Sequence, residues 1–487
     1  MELTSEVSNI EQTESTPLIQ TRRPERFHVS SLLSVMYGMV IYLLAIVIMT
    51  AFLSSLRENT NYVTADAFNS YTIALYVIAI PCVIGDIVYL RANALAPTDT
   101  EMSMASSLHV KGGIVTFGFI SILMAFIEIR LWTNEIIFVT GSGMKIIFIL
   151  VEMIYLINYS SVSVKRWSGL RRFGLMHVMI TNFKDITTSI IIKSCDIGFQ
   201  TSDYRNTSLA VRWKSIEPYL EVCRIQYYFI ATAMLAIMWH SIGKEQLLRQ
   251  VRTKDNNVNY STWNTSIAVV LGFGVIILTI ASIFISSGTD IQNYYYWIRI
   301  ILNIITLFSV TVLFVVSRRR YGVFQQYTFP FQLDELIIEL CLVFLILQEM
   351  YSVLSVIVEI WCSNMQYIAL TVCDRIFTDA KVVIQSLLIV QSLRFKVTVP
   401  TAHWYKSMLL FLSMSNLAWW IITMTELKND QHIYGIQKQF YGKNAYDLIH
   451  GITGPFVVFY YYQSSVCFFE MWMTNNRRII TVKVSTD

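Results

Sequence analysis

Long apolar runs, repeated along most of the chain, constrain its fold more than any other feature of the sequence. A helix needs about 20 mostly apolar residues to cross the hydrocarbon core of a bilayer. Twelve such runs can be placed, centred near Val40, Val77, Phe119, Val151, Ile180, Ala233, Gly274, Thr306, Phe344, Leu388, Met414 and Val458. With 54% hydrophobic and 14% charged residues, the sequence predicts an all-α integral membrane protein with twelve transmembrane helices. Its weakest runs are those near Ile180 and Leu388.

The distribution of basic residues predicts the orientation of these helices. Lys and Arg near short loops favour the cytoplasmic side, and most of the 37 basic residues lie on one side if both termini are cytosolic. The first thirty residues lack the apolar core of a signal peptide. We therefore expect a cytosolic tail (1–31), a six-helix half (32–243), a cytosolic linker (244–263), a second six-helix half (264–473) and a cytosolic tail (474–487).

Two sets of three polar residues on successive apolar runs indicate an internal repeat. The first set is Glu152, Asn182 and Tyr227, and the second, at nearly equal spacings, is Gln385, Asn416 and Tyr460. The match indicates a duplicated membrane unit with one polar cluster in each half. The second set has no group that titrates near neutral pH, so that half could seal rather than conduct. Spans one to three show no convincing match to spans seven to nine.

Glu152 and His177 are the candidates for carrying protons. An ionised side chain at mid-membrane costs on the order of 2.5–3.5 kcal/mol, so burial favours the protonated form of the Glu152 carboxyl group. A group that gains and loses a proton suits a proton pathway, and a carboxyl group that only links two helices is the alternative interpretation. His177 likewise predicts either a proton relay or acid sensor, or a histidine that joins helices.

Four further ionisable residues are candidates for charges inside the membrane. Asp86 and Glu339 could lie deep enough to matter, whereas Glu221 and Arg224 lie one helical turn apart, where each can neutralise the other. The seven cysteines have no metal-ligand spacing, and phosphate-binding and hydrolase motifs are absent. The sequence therefore predicts no metal, no cofactor, no enzyme activity and no nucleic-acid surface.

Four segments of the sequence resemble the otopetrin family. They are Arg172 to His177 with Thr181-Asn182, Met238-Trp239 with Ile242-Gly243, Asn416 to Trp419, and Pro455 to Tyr460 with Ser464 to Cys467. Otopetrins are proton-selective channels gated by extracellular pH. The resemblance implies two six-helix halves, a homodimer in the plasma membrane, lipid or sterol in the central space, and proton routes through each half or between the halves. Both polar sets would line these routes.

Three positions depart from the family pattern. Gln226 replaces the usual glutamate of I-E-Y on span six, and Tyr461 and Gln463 replace the arginine and histidine of F-Y-R-F-H-S on span twelve. Each change removes a proton acceptor or a charge. The main prediction is passive, pH-gated proton movement. A non-conducting acid or lipid sensor of the same fold and a secondary transporter remain as alternatives.

Overall fold

The structure, a computed structural model, describes twelve stretches of the chain. They are residues 29–58, 63–92, 108–131, 136–160, 168–194, 208–242, 262–286, 292–324, 333–359, 365–397, 403–426 and 435–476. The first six helices are α1 (Val29–Glu58), α2 (Val63–Ala92), α3 (Leu108–Leu131), α4 (Ile136–Tyr159), α5 (Ser168–Ser194) and α6 (Ser208–Ser241). The others are α7 (Thr262–Ser286), α8 (Gln292–Arg320), α9 (Leu333–Glu359), α10 (Met365–Arg394), α11 (His403–Glu426), α12 (Gly435–Tyr441) and α13 (Lys443–Asn476).

The helices confirm that the chain is an all-α, multi-pass membrane protein. Each of the twelve predicted centres lies within a helix of at least 24 residues. In the described part of the chain, ten helices are long and apolar enough to cross a membrane. The other two long helices, α5 and α13, have 27 and 34 residues but are too polar to qualify by composition. By contrast α10, which contains Leu388, does qualify.

One detail of the fold differs from the prediction. A short antiparallel ribbon pairs β1 (Tyr321–Phe324) with β2 (Phe395–Val397), where α8 and α10 end. The predicted domain boundaries after residues 31, 263 and 473 lie within the residue ranges of α1, α7 and α13, and the division into domains stays a prediction. The boundary after residue 243 lies outside the described residues.

Polar groups lie inside the bundle, and many large apolar side chains lie on its outside. Glu152, Asn182 and Asn303 are 0% exposed, whereas Phe119 and Phe308 are 65% and 68% exposed. In water this arrangement would be unfavourable. In a bilayer, the apolar outer faces contact lipid. Each helix pairs its own backbone N–H and C=O groups in hydrogen bonds, so the buried polar side chains can hydrogen-bond with one another and form polar clusters.

The first six helices and the later ones pack against equivalent neighbours. In the first set, α4 contacts α2 and α3, α5 contacts α1, α2 and α6, and α6 also contacts α3. In the second set, α10 contacts α8 and α9, α11 contacts α7, α8 and α13, and α13 also contacts α9. The short α12 packs on α9 and α13, and α13 further contacts α5. Packing therefore recurs even for α1–α3 and α7–α9, whose residues do not match.

Gly272 allows α7 and α11 to approach closely. A Cβ atom at this position would lie 2.7 Å from the Cβ atom of Met414, which is too close for two carbon atoms. We expect Gly272→Ala to force the helices apart and to lower the free energy of unfolding by about 1–3 kcal/mol, although alanine has the higher helix propensity. Thermal unfolding in detergent micelles measures this change.

Gly274→Ala is the matched control on the same helix. A Cβ atom at Gly274 meets no atom within 4 Å, so this variant should unfold at the wild-type temperature or above it. Equal unfolding temperatures for the two alanine variants would contradict the close approach at Gly272.

Candidate functional site

Glu152, Asn182 and Tyr227, here called the acid trio, meet in the interior of α1–α6. The Asn182 Nδ2 group donates to Glu152 Oε1 over 2.7 Å. The Tyr227 hydroxyl donates to Glu152 Oε2 over 2.8 Å. All three side chains are fully buried. The structure thus brings together the first of the two polar sets, from the facing sides of α4, α5 and α6.

The acid trio can accommodate the carboxyl group of Glu152 with or without a proton. When Asn182 and Tyr227 both donate to it, the carboxyl group is held as a carboxylate, which only accepts hydrogen bonds. A proton on Oε2 would need an acceptor, and the Tyr227 hydroxyl can become one by turning its own hydrogen towards the carbonyl oxygen of Ile149, 3.4 Å away. A single hydroxyl rotation therefore satisfies both states.

One helical turn from the acid trio, Asp86, Tyr155 and Arg171 form a second polar group, here called the Asp86 cluster. Arg171 Nε donates to Asp86 Oδ2 over 2.9 Å, and the Tyr155 hydroxyl donates to the same oxygen. Tyr155 lies three residues after Glu152 on α4, so the two share a helix face. Asp86, a candidate charge from the sequence, is thus paired with a cation on α5.

On the opposite side of the acid trio, Tyr76, Lys184 and Asp185 form a third group. The Tyr76 hydroxyl donates to Asp185 Oδ2 over 2.7 Å, and Lys184 Nζ lies 3.2 Å from Asp185 Oδ1. Lys184 and Asp185 are 5% and 4% exposed. Two charges so far from water require each other, because an isolated buried ion is strongly disfavoured.

Arg224 joins a fourth group, here called the Arg224 cluster. Its guanidinium group pairs with Glu128 near the end of α3 and with Glu221 one turn earlier on α6. The predicted neutralisation of Glu221 by Arg224 is therefore present, together with a second acid that the sequence did not point to. Glu128 lies on a different helix, and no local spacing could have revealed it.

The four groups form one polar column along the inside of the first six helices. On each of three helices a residue of the acid trio lies three positions, or about 4.5 Å of rise, from a residue of a neighbouring group. The pairs are Glu152 and Tyr155 on α4, Asn182 and Asp185 on α5, and Arg224 and Tyr227 on α6. The column has a carboxyl group at its centre and paired charges on either side.

His177 lies apart from this column. Its Nε2 lies 3.1 Å from the carbonyl oxygen of Leu75, which only accepts, so Nε2 carries the hydrogen. Its Nδ1 then accepts from the Tyr37 hydroxyl at 3.0 Å. Five residues before Asn182, His177 faces roughly 140° away around α5. These contacts favour a histidine that links α5 to α1 and α2, and its role as a relay stays a prediction.

Gln385, Asn416 and Tyr460, here called the amide trio, also meet, inside α7–α13. Gln385 Nε2 donates to Asn416 Oδ1 over 2.8 Å. The Tyr460 hydroxyl donates to the carbonyl oxygen of Val382 over 2.9 Å and lies equally far from Ser386 Oγ. The position that holds a carboxyl group in the acid trio holds an amide here. An amide orders its neighbours but does not exchange its proton in the physiological range.

Each of the three family departures has a local partner. Gln226 Oε1 accepts from Trp420 Nε1 over 3.3 Å, which joins α6 to α11. The Tyr461 ring stacks on Trp419 at 6.0 Å between centroids, and Gln463 Nε2 lies 3.7 Å from Cys467 Sγ. These groups replace charges by hydrogen bonds and ring contacts.

Other charges of the second set of helices form pairs that the sequence did not reveal. Arg375 donates to both oxygens of Glu349, at 3.0 and 2.9 Å, and Arg299 lies 3.0 Å from Asp374. Glu339, in contrast, is half-buried in the second turn of α9 and makes no hydrogen bond or ion pair with another described residue. The structure therefore places Glu339 outside both trios.

Comparison with known proteins supplies the family. The family model described as Otopetrin matches residues 184–462, which include Tyr227 and the whole amide trio. The protein named "Proton channel OtopLc" of Drosophila melanogaster is 19% identical over 459 residues, which cover 78% of this chain and 28% of the relative. This chain thus spans a little over a quarter of that relative's length. Because the family model covers more than half of the 487 residues, the chain belongs to the otopetrin family.

Proposed function

We propose that this protein is a proton-selective, pH-gated channel of the plasma membrane, in which the polar column of α1–α6 carries protons passively. The observation that supports this most strongly is the fully buried Glu152 carboxyl group with hydrogen-bonding partners on two other helices. The family and the name of the Drosophila relative support protons as the transported species.

The proposed route uses water and side chains in turn. A proton that arrives past Asp185 and the Arg224 cluster would bind Glu152. Tyr227 would then turn its hydroxyl group to accept a hydrogen bond from the protonated carboxyl group. Release towards the Asp86 cluster would restore the carboxylate. Such a path need not be an open pore, because hydrogen-bonded groups pass protons where hydrated metal ions cannot follow. Selectivity for protons follows from this exchange at a buried carboxyl group.

The same proposal includes twelve transmembrane helices in two six-helix halves, with both termini in the cytosol. The recurring helix neighbours of α1–α6 and α7–α13 support the two halves. The helices α5 and α13 are polar because they contribute buried groups such as Asn182, Asp185 and Gln463, and polar side chains in spanning helices face the bundle interior. A homodimer that holds lipid or sterol at its centre follows the family resemblance.

Purified protein in liposomes tests the proposed activity directly. When the outside solution is more acidic than the lumen, we expect the lumen of liposomes that contain the protein to become acidic, as a pH-sensitive dye inside them reports. Valinomycin lets potassium ions leave and so balances the charge of the entering protons. Protein-free liposomes prepared in parallel are the control. The proposal would be refuted if liposomes that contain folded protein, whether dimeric or monomeric, leaked protons no faster than the control under every gradient.

An acid or lipid sensor without conduction is the second candidate. It is favoured by Gln226, Tyr461 and Gln463, because uncharged side chains with local partners occupy these three positions. Acid-dependent changes in tryptophan fluorescence without any proton flux would support the sensor.

A secondary transporter has less support. Carriers commonly hold their substrate at the ends of broken helices near mid-membrane. In the described residues, α4, α5, α10 and α11 run unbroken past both trios. Saturable uptake of an organic solute would favour the transporter instead.

A further inference from the structure

Lys381 is buried inside the second set of helices, one helical turn from the amide trio. It is 1% exposed and lies four residues before Gln385 on α10, so the two side chains share a helix face. Its Nζ lies 3.6 Å from the centroid of the Trp419 ring and 5.2 Å from that of Tyr461. It also donates to Asn303 Oδ1 over 2.8 Å.

This environment is suited to an ammonium ion. The faces of aromatic rings attract a cation through their quadrupole, most strongly in the case of tryptophan, and the amide oxygen of Asn303 accepts one of the three ammonium hydrogens. Asn303 is itself oriented by Asp374 and Thr378, which accept from its Nδ2 at 2.9 and 3.0 Å. The cage that holds Lys381 therefore consists of three side chains from three helices.

The charge of Lys381 is not neutralised by a direct ion pair. The nearby carboxylates have other partners, since Asp374 pairs with Arg299 and Glu349 pairs with Arg375. Asp379 lies two residues before Lys381 and so on another face of α10. Within the described ranges, no carboxylate oxygen lies within 4.0 Å of Lys381 Nζ. Aromatic rings and an amide oxygen, rather than a direct ion pair, therefore hold Lys381 in the interior of this half.

The first half has no such charge in the equivalent place. Phe148 lies four residues before Glu152 on α4, as Lys381 does before Gln385 on α10, and its ring packs against Tyr76 with 5.2 Å between centroids. Where the first half combines an apolar residue with a carboxyl group that accepts protons, the second combines a cation with an amide. The two halves therefore differ in charge at these matched positions.

We propose that Lys381 is a tethered cation that closes the second half to protons, so that only the first half conducts. Its ammonium group occupies the cation-binding cage formed by Trp419, Tyr461 and Asn303, and its charge repels an incoming proton through a medium of low dielectric constant. This inference rests on the proposed proton conduction and names the half that carries it.

The test measures proton flux in liposomes for wild type, Glu152→Gln, and Glu152→Gln combined with Lys381→Met. Methionine has nearly the length of lysine but no charge. We expect Glu152→Gln to stop the flux of the first half and the double variant to conduct at least about tenfold faster than Glu152→Gln alone, because a fixed charge at this range changes proton occupancy by such a factor. Glu152→Gln with Lys381→Arg, which keeps the charge, should stay closed.

The outcomes separate this inference from the function on which it rests. Absence of flux in wild type would refute conduction itself, whereas a conducting wild type with a folded but silent double variant would overturn only the role of Lys381. If the methionine variant is not monodisperse, Lys381→Gln replaces it under the same criteria. Should neither form folded protein, Lys381 is a structural residue and the inference is refuted.

Discussion

Replacing Glu152 by glutamine is expected to abolish proton flux, with acidification of liposomes falling to the protein-free rate. Glutamine has nearly the same shape and can still accept a hydrogen bond from Asn182 or Tyr227 through its amide oxygen. It cannot bind and release a proton in the physiological range. Because Glu152 lies at the centre of the polar column, no other described group of the acid trio can replace it. The dye assay described above measures the effect.

The matched control is Glu339→Gln, the same chemical change at the half-buried acid that lies outside both trios. This variant should conduct at the wild-type rate. Flux that survives in Glu152→Gln would show that protons take another route, and equal losses in both variants would show that the effect is not specific to the acid trio.

Replacing Arg224 by methionine should give the largest loss of stability. The change leaves Glu128 and Glu221, whose side chains are only 15% and 11% exposed, without their cation, and breaking a buried ion pair from one side costs about 3–5 kcal/mol. The unfolding temperature in detergent micelles, followed by loss of the monodisperse peak in size-exclusion chromatography, measures this cost. We expect a clear decrease relative to wild type.

Two further variants identify the cause of that decrease. Arg91→Met removes an exposed arginine that donates to the Tyr159 hydroxyl, and its effect should stay below about 1 kcal/mol. Arg224→Met together with Glu128→Gln and Glu221→Gln removes all three charges, and should recover most of the lost stability because replacement of a whole buried ion cluster is often close to neutral. An unchanged unfolding temperature for Arg224→Met alone would contradict the buried cluster.

The sequence predicted the positions of the long helices because their apolar residues are determined by the lipid around them. A spanning helix needs an apolar run of a certain length whatever its neighbours, and this signal is local. The signal fades for α5 and α13, in which many residues face other helices rather than lipid. It cannot show which helices are neighbours, and so the recurring packing of α1–α3 and α7–α9 was not visible.

The sequence also located both trios, since polar residues are rare enough in apolar runs for two matched sets to stand out. It did not identify their surroundings. Arg171, the partner of Asp86, lies 85 residues away along the chain, and Glu128, a partner of Arg224, lies 96 residues away. In the sequence, Lys381 is visible only as an interruption of an apolar run. Its aromatic cage depends on Trp419 and Tyr461, which belong to other helices.

The most direct test of passive, selective proton movement is the reversal potential of the current across a voltage-clamped planar lipid bilayer that contains the purified protein. The account predicts that the current reverses at the proton equilibrium potential, and that this potential shifts by about 59 mV per unit of pH gradient, the value for a single charge. A reversal potential that follows the sodium or potassium gradient instead, or no current at any voltage, would contradict it.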